Sequence, residues 1–137
     1  MIKSYKDLSV WKKSIDLVKQ AHLLCSSFAG NEDDFLVSEI KRSSISVSSN
    51  IAQASNVKSV KDSMKFLDVA SSSLAELDTQ LFISVELGYI SNKKYKMIEN
   101  NIEEIGKILS GMRSSLNREK LFNEHDDELL EDTSSLH

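Results

Sequence analysis

The sequence predicts an all-α protein folded as an antiparallel, up-down-up-down four-helix bundle. Proline is absent from the 137 residues and glycine occurs four times, whereas sheet-rich domains are usually punctuated by turns that contain both. Apolar residues make up 40% of the chain and aromatic residues only 7%, which is enough for one aliphatic core. Apolar side chains also recur at spacings of three and four residues, the pattern of helices that each bury one face.

The first helix is predicted to begin at Asp7 or Ser9, both favourable N-cap residues, and to run to about Phe28. Gly30 and Asn31 then supply a left-handed stop. Two apolar stripes lie side by side along this helix, so its apolar face is wider than a single partner helix would cover. The first stripe comprises Leu8, Trp11, Ile15, Val18, His22 and Cys25, and the second comprises Val10, Leu17, Ala21, Leu24 and Phe28.

The second helix is predicted over roughly residues 35–54, after a polar connection. Its middle is rich in serine, a mediocre helix former, and the small side chains favour close approach of a neighbouring helix. Asn50 lies on the same helix and its amide needs hydrogen-bond partners. We expect Glu76 and Gln80, one turn apart on the third helix, to form a polar cluster with Asn50. Such a cluster fixes helix register, and a direct ligand contact is the alternative.

The third helix is predicted to start behind Ser59, which resembles a capping box with Asp62, and to end at Gly88. The fourth helix is predicted to start at Ser91 and to fade beyond Arg118. Short connections between such helices favour antiparallel neighbours.

Charge divides the chain into two parts. Residues 1–120 hold all 17 Lys and Arg against 15 Asp and Glu, a balance of +2, and residues 121–137 hold 6 acids and no base, a balance of −6. We therefore expect a four-helix bundle over residues 1–120 and an acidic tail over residues 121–137 that is disordered or loosely helical.

Composition also bears on location. No run approaches the roughly 20 apolar residues of a membrane span, and residues 1–9 lack the apolar segment of a signal peptide. The single cysteine, Cys25, excludes an intramolecular disulfide and a cysteine-rich metal site. These features predict a cytoplasmic protein with no membrane association.

Candidates for catalysis are weak. His22 and Cys25 lie one turn apart, but both fall in the core stripe, where cysteine behaves as a small hydrophobe. His22, His125 and His137 lie on different segments without the paired spacing of metal ligands. The chain also lacks a glycine-rich phosphate loop. We therefore predict no enzymatic activity, no cofactor and no metal.

Basic residues form the one candidate binding surface. They cluster near the start of the chain, on the second helix and at the opening of the third, where a helix N-terminus already favours phosphate. The alternative interpretation is a solvated charged face. The residues predicted to contact nucleic acid are Lys12, Lys13, Lys41, Arg42, Lys58, Lys61 and Lys65.

Four separated motifs resemble one protein family, first noticed as reading frames inside intervening sequences of bacterial 23S ribosomal RNA genes. They are YKDLSVW at residues 5–11, EIKRSSISVSSNIAQA at 39–54, FLDVASSSLAEL at 66–77 and ELGYI at 86–90. The resemblance covers about residues 2–117. Where the family pattern has proline, glutamate and glycine, this chain has Ser48, Gln53 and Ala54, and Ser72 replaces a further glycine. A role that depended on the family glutamate therefore does not carry over.

The resemblance implies a four-helix bundle that assembles into a ring, commonly a homopentamer, with no known enzymatic activity. Related bundles look like the accessory subunit of diversity-generating retroelements, a basic pentameric barrel that binds a reverse transcriptase and its RNA. The expected function is thus a non-catalytic, oligomeric, nucleic-acid-associated adaptor, with RNA or DNA and a reverse transcriptase or other protein as partners. The alternative is a protein-protein interaction scaffold without a nucleic-acid role, favoured by the pI of 5.4 and the acidic tail.

Overall fold

The structure, a computed structural model, describes residues 4–28 and 33–135. Within these residues the chain forms a short 3₁₀ turn, Tyr5–Asp7, and four α-helices without a strand. The predicted all-α four-helix bundle is therefore confirmed. The helices are α1 Ser9–Ser26, α2 Asp34–Asn56, α3 Val60–Glu86 and α4 Asn92–Ser135.

Local signals fix most helix boundaries. Ser59 caps α3 by accepting a hydrogen bond from the Asp62 backbone N–H at 3.2 Å, as the capping box predicted. Gly88 follows α3 with φ of +79°, a conformation that favours glycine, and the Tyr89 N–H donates back to the Ser84 carbonyl at 2.8 Å. The left-handed conformation of Gly88 and this hydrogen bond end α3, and the chain then continues into α4. The predicted stop at Gly30 and Asn31 lies outside the described residues.

The helices pack antiparallel around one core. α1 contacts α2 and α4, and α3 contacts the same two helices, so the four form a closed square. The core contains aliphatic side chains from every helix, which hydrophobic burial holds together. Its fully buried members include Leu17 of α1, Ile40, Val47 and Ile51 of α2, Leu67, Leu77 and Leu81 of α3, and Ile105 and Leu109 of α4.

The serine-rich segment of α2 faces α3. Ser43, Ser44 and Ser48 are buried, and the Ser46 hydroxyl lies 2.7 Å from the hydroxyl of Ser73 on α3. The serine side chains in this contact are shorter than leucine, so the two helices can lie closer together. Their hydroxyl groups form hydrogen bonds to the backbone of α2 or across to α3. The observation agrees with close packing as the reason for the serines.

The two apolar stripes of α1 differ in burial. The second stripe is buried except for Leu24, which is half-buried. In the first stripe only Cys25 is buried, and Leu8, Trp11, Ile15, Val18 and His22 are half-buried. The bundle therefore covers one side of the wide apolar face and leaves part of the other side accessible.

α4 does not end near Arg118 but continues to Ser135. We call residues 117–135 the extension. No proline or glycine interrupts it, and Lys120 and Glu124 form an i,i+4 ion pair at 3.7 Å. The helix thus continues beyond its last half-buried core contact, Leu116, without a helix-breaking residue. The division into a bundle and an acidic tail stays a prediction, with the tail helical as far as Ser135. No helix within the described residues has the length and hydropathy needed to cross a bilayer.

Candidate nucleic-acid interface

Lys58, Lys61 and Lys65 lie together at the start of α3, and all three are exposed. Lys58 is in the turn before the helix, and the other two are one turn apart. The free N–H groups of the α3 N-terminus lie at the same end and add positive potential. This part of the predicted surface is therefore contiguous.

A groove of about 520 Å³ runs between this end of α3 and α4. Lys61 and Lys65 line it from α3, and Arg113 and Lys120 line it from α4. Its acidic lining consists of Asp62 and Asp68, so four bases face two acids. We call this groove and Lys58 the basic end of the bundle.

Arg113 is fixed in the groove by a bidentate pair. Its Nε donates to Asp68 Oδ1 at 2.6 Å and its Nη2 donates to Oδ2 at 3.3 Å. These bonds raise the pKa of Arg113 above its ordinary value. The pair holds α4 against α3 and neutralises Arg113 together with Asp68, and Lys120 pairs with Glu124 at 3.7 Å. Lys58, Lys61 and Lys65 are therefore the cations of the basic end without an ion pair among the described residues.

Lys13 and Arg42 do not join the basic end. Lys13 pairs with Glu104 of α4 at 2.8 Å. Arg42 pairs with Glu39 at 2.7 Å and approaches Glu76 at 3.5 Å. The hydrogen bond from Arg42 lowers the pKa of Glu39, and the same bond raises the pKa of Arg42. Both cations already have carboxylate partners, which weakens their attraction for phosphate.

Lys12 and Lys41 also stand apart from the groove. Lys12 is exposed on α1, and Lys41 is partly buried on α2 next to Arg42. Glu76, the α3 partner of Arg42, is eleven residues from Lys65, or roughly 16 Å along the helix at 1.5 Å per residue. The seven predicted residues therefore do not form one patch.

The predicted cluster of Asn50, Glu76 and Gln80 is wrong as a single unit. The Asn50 amide donates both of its hydrogen bonds to Ser46, at 2.8 Å to the carbonyl and 3.1 Å to the hydroxyl. Glu76 instead accepts from Ser43 at 3.4 Å and pairs with Arg42. The Gln80 Oε1 atom is buried without a hydrogen-bond partner among the described residues.

The antiparallel register explains this outcome. The contacts of Ser46 with Ser73 and of Ser43 with Glu76 show that α3 numbers fall as α2 numbers rise. Asn50 therefore lies near the level of Val69 on α3, about two turns from Glu76. Sequence spacing within one helix gave no information on this offset.

His22 and Cys25 show no arrangement for covalent catalysis. The His22 Nδ1 atom bonds the Val18 carbonyl at 2.9 Å, one turn back on the same helix. Cys25 is buried, and desolvation raises the pKa of its thiol, which disfavours the nucleophilic thiolate. Among the described residues no group of three or more His, Cys, Asp and Glu side chains could hold a metal ion.

Arg113 and Lys120 are the site residues that sequence reasoning missed. They are seven residues apart and so share a face of α4. That spacing was readable, but it did not reveal that the face meets Lys61 and Lys65. The missing information was the register between α3 and α4, which the Arg113–Asp68 pair defines.

The chain is similar to known proteins both in sequence and in structure. A family model described as 23S rRNA-intervening sequence protein matches residues 6–111. Among solved structures, the chain is similar to a protein with unknown function from the S23 ribosomal protein family of Bacteroides thetaiotaomicron VPI-5482, with 26% sequence identity and a TM-score of 0.70. That match covers 76% of this chain and 97% of the other. No curated protein matches the chain.

Proposed function

Because the chain belongs to the 23S rRNA-intervening sequence protein family, we propose that it is a non-catalytic, oligomeric adaptor that associates with nucleic acid through its basic end. The observation that carries this proposal is the groove in which Lys61 and Lys65 of α3 face Arg113 and Lys120 of α4. Its solved relative has unknown function, so the argument depends on the surface of this chain.

The groove has the chemistry of a phosphate site. Exposed lysine side chains bind a phosphate backbone as point charges, as Lys61 and Lys65 can here. Arg113, whose guanidinium is already paired with Asp68, gives the groove one fixed wall. The residues that line the groove are charged except for Met64, as expected of contacts to backbone phosphate rather than to bases. Binding is therefore expected to depend strongly on salt and weakly on sequence.

Oligomerisation would strengthen this surface. The half-buried first stripe of α1 supplies apolar area for subunit contacts. Each added copy in a ring brings another basic end, so weak single contacts act together. The finer prediction, a role beside a reverse transcriptase and its RNA, depends only on the family resemblance and stays a prediction.

The decisive experiment measures anisotropy of a labelled 20-nucleotide RNA, and of the matching DNA, over a series of salt concentrations. The double variant Lys61→Glu/Lys65→Glu is compared with Lys6→Glu/Lys107→Glu, which changes the net charge equally at exposed positions that do not line the groove. We expect the first variant to reduce affinity on the order of a hundredfold at low salt and to reduce the salt slope by about 2, and the control to have a much smaller effect.

Two outcomes contradict the proposal. Equal losses in both variants would mean that net charge, and not the basic end, drives binding. Absence of binding by the unaltered protein at low salt would remove the nucleic-acid role. Light scattering of the same samples reports the oligomer, since a monomer has a mass of 15.4 kDa.

A protein-interaction scaffold without a nucleic-acid role is the second candidate. It is favoured by the pairing of Lys13 with Glu104 and of Arg42 with Glu39, which leaves fewer free cations than the sequence indicated. Deleting residues 121–137 separates the two functions. Removal of the acidic segment is expected to strengthen RNA binding by an adaptor and to leave a scaffold equally inert toward RNA.

A further inference from the structure

Both ends of α4 carry charges that oppose the helix dipole. Its first five residues, 92–96, contain Lys93, Lys94 and Lys96 and no acid, although the positive end of the dipole favours acids there. The other end contains acids and no base in its last turn, where bases are favoured. Within the bundle, Lys96 is offset by Glu99 at 3.1 Å, while neither Lys93 nor Lys94 forms an ion pair with a described residue. Each end is therefore suited to a partner of opposite charge.

An apolar groove of about 350 Å³ opens beside the basic start of α4. Leu23 and Leu24 of α1 and Met97 and Ile98 of α4 supply its apolar lining. Leu23 is 70% exposed and Met97 is 67% exposed, so both leave apolar surface in contact with water. We call this the α1–α4 groove.

Lysines surround the α1–α4 groove. Lys94 lines it directly, Lys93 is adjacent in sequence, and Lys19 lies one turn before Leu23 on α1. Lys19, like Lys93, is exposed and has no ion pair among the described residues. An occupant that combines apolar side chains with carboxylates would match this groove.

The extension has this chemistry. Leu121 is 56% exposed and Phe122 is 64% exposed, and Leu129, seven residues after Phe122, shares its face. From residue 121 onward the extension holds six acids and no Lys or Arg. It is thus an acidic helix with exposed apolar side chains along one face. Amphipathic helices of this kind bind by laying the apolar face into a hydrophobic groove.

A protein molecule cannot place its own extension in its own α1–α4 groove. Met97 and Phe122 belong to the same continuous helix and are 25 residues apart, roughly 37 Å along the axis at 1.5 Å per residue. We propose that the extension of one copy binds the α1–α4 groove of a second copy. Leu121 and Phe122 then cover Leu23 and Met97, and the acids of the extension meet Lys19, Lys93 and Lys94.

The basic end of a second copy fits the extension less well. Its groove has the positive charge but presents Met64 as its one apolar side chain, and Met64 is itself buried. The α1–α4 groove supplies both charge and apolar area. The proposed contact joins two different surfaces, so repetition gives a closed ring or an open chain of copies. It does not use Lys58, Lys61, Lys65 or Arg113 of the basic end, whereas Lys120 belongs to both the basic end and the extension. The contact is tested below without nucleic acid.

Crosslinking between two full-length variants tests the contact without RNA. Met97→Cys and Phe122→Cys, with different tags, are mixed and treated with a short bismaleimide, and the mixed dimer is quantified by mass spectrometry. The control mixture replaces Met97→Cys with Phe35→Cys, at a side chain of α2 that is 77% exposed. All three positions are exposed, so the bundle core is unchanged, and buried Cys25 is retained. We expect on the order of tenfold more mixed dimer in the first mixture than in the control.

Charge exchange adds a second measurement. Lys93→Glu/Lys94→Glu on the Met97→Cys protein is expected to reduce the yield to that of the control. Adding Glu124→Lys/Asp126→Lys to the Phe122→Cys protein is expected to restore it.

Three results would overturn the inference: equal yields in the test and control mixtures, preferred crosslinking of Phe122→Cys to itself, or preferred crosslinking of Phe122→Cys to Lys65→Cys at the basic end. RNA binding is measured separately with Lys61→Glu/Lys65→Glu, so failure of one proposal is distinguishable from failure of the other.

Discussion

α4 is one continuous helix, but its two halves are stabilised by different interactions. Residues 92–116 bury Ile98, Ile102, Ile105 and Leu109 against the other helices. The extension exposes Leu121 and Phe122, and its helical form depends on residue propensity and local charge pairs such as Lys120–Glu124. The first half is therefore stabilised by tertiary packing, and the second half is stabilised locally until a partner covers it. Continuous helix in a structure does not imply uniform stability along it.

The largest expected difference between the two halves is in how much the truncation of an apolar side chain lowers the free energy of unfolding. Leu109→Ala removes a fully buried side chain and is expected to lower the free energy of unfolding by about 2–5 kcal/mol, through lost burial and a residual cavity. Phe122→Ala, at a 64% exposed side chain of the extension, is the matched control and should change it by less than about 0.5 kcal/mol. Urea denaturation at low protein concentration measures both. Similar losses would mean that the extension packs against the bundle.

Tyr95 provides a polar contact in the first half. Its hydroxyl lies 2.7 Å from Asp78 Oδ1 of α3 and 2.6 Å from Glu99 Oε2 of α4. Burial and the two carboxylates raise the pKa of Tyr95, and the bond from Tyr95 lowers the pKa of Glu99 below its ordinary value of 4.5. Tyr95→Phe is expected to lower the free energy of unfolding by about 1 kcal/mol. The effect is no larger because water screens the carboxylates.

The pH dependence of Tyr95→Phe has a defined sign. Since the pKa of Glu99 is lowered in the folded state, its contribution to stability is present above pH 4.5 and is lost as pH falls through the lower folded value. The difference in the free energy of unfolding between the unaltered protein and Tyr95→Phe should therefore become smaller below pH 4.5. Urea midpoints at pH 7, 4.5 and 3 measure it, and a difference that widens on acidification would contradict this assignment.

Removal of the extension tests its independence directly. A chain that stops after Arg118 loses no fully buried residue among those whose burial the structure describes, so its unfolding free energy should change by less than about 0.5 kcal/mol. The circular dichroism signal at 222 nm should fall in proportion to the helical residues removed. A large loss of stability at low protein concentration would show that the extension contributes to the bundle core.

The smallest expected effect concerns the exposed Lys120–Glu124 pair. Glu124→Gln removes the ion pair, whose side chains are 40% and 57% exposed. An i,i+4 pair of this kind contributes about 0.3–0.5 kcal/mol to a helix. Hydrogen exchange of amides in residues 117–126 should quicken slightly, and amides in α2 should be unaffected. Faster exchange throughout the bundle would show that the two halves unfold together.

Most of the fold was predictable from the sequence. Ser59, Gly88 and Ser91 mark helix ends through local hydrogen bonding and backbone conformation, which need only nearby residues. α4 continues beyond Arg118, where the apolar pattern stops, and no proline or glycine interrupts it before Ser135. Loss of the buried stripe predicted a disordered or loosely helical segment, and the structure has helix as far as Ser135.

The candidate site was only partly predictable, because charge in a sequence does not show which charges are paired. Lys13 counted as a free cation until helix packing brought Glu104 beside it. The closest partner of Arg42 is Glu39, three residues earlier on the same helix, and only its second partner, Glu76, comes from α3. Conversely, Arg113 and Lys120 joined Lys61 and Lys65 across a distance of about fifty residues in the chain. The pairing of Lys13 and the composition of the groove each depend on two helices at once.

The sequence by itself determined four helices, their caps, their apolar faces and the separation of a basic body from an acidic end, since all of these arise from residue type and spacing within one segment. Only the tertiary structure decided the register between antiparallel helices, and with it the partners of Asn50, the composition of the basic end and the separation of the extension from the α1–α4 groove. The physical reason is that register is set by how side chains of different helices interdigitate in the shared core, and a periodic apolar stripe is compatible with several such offsets.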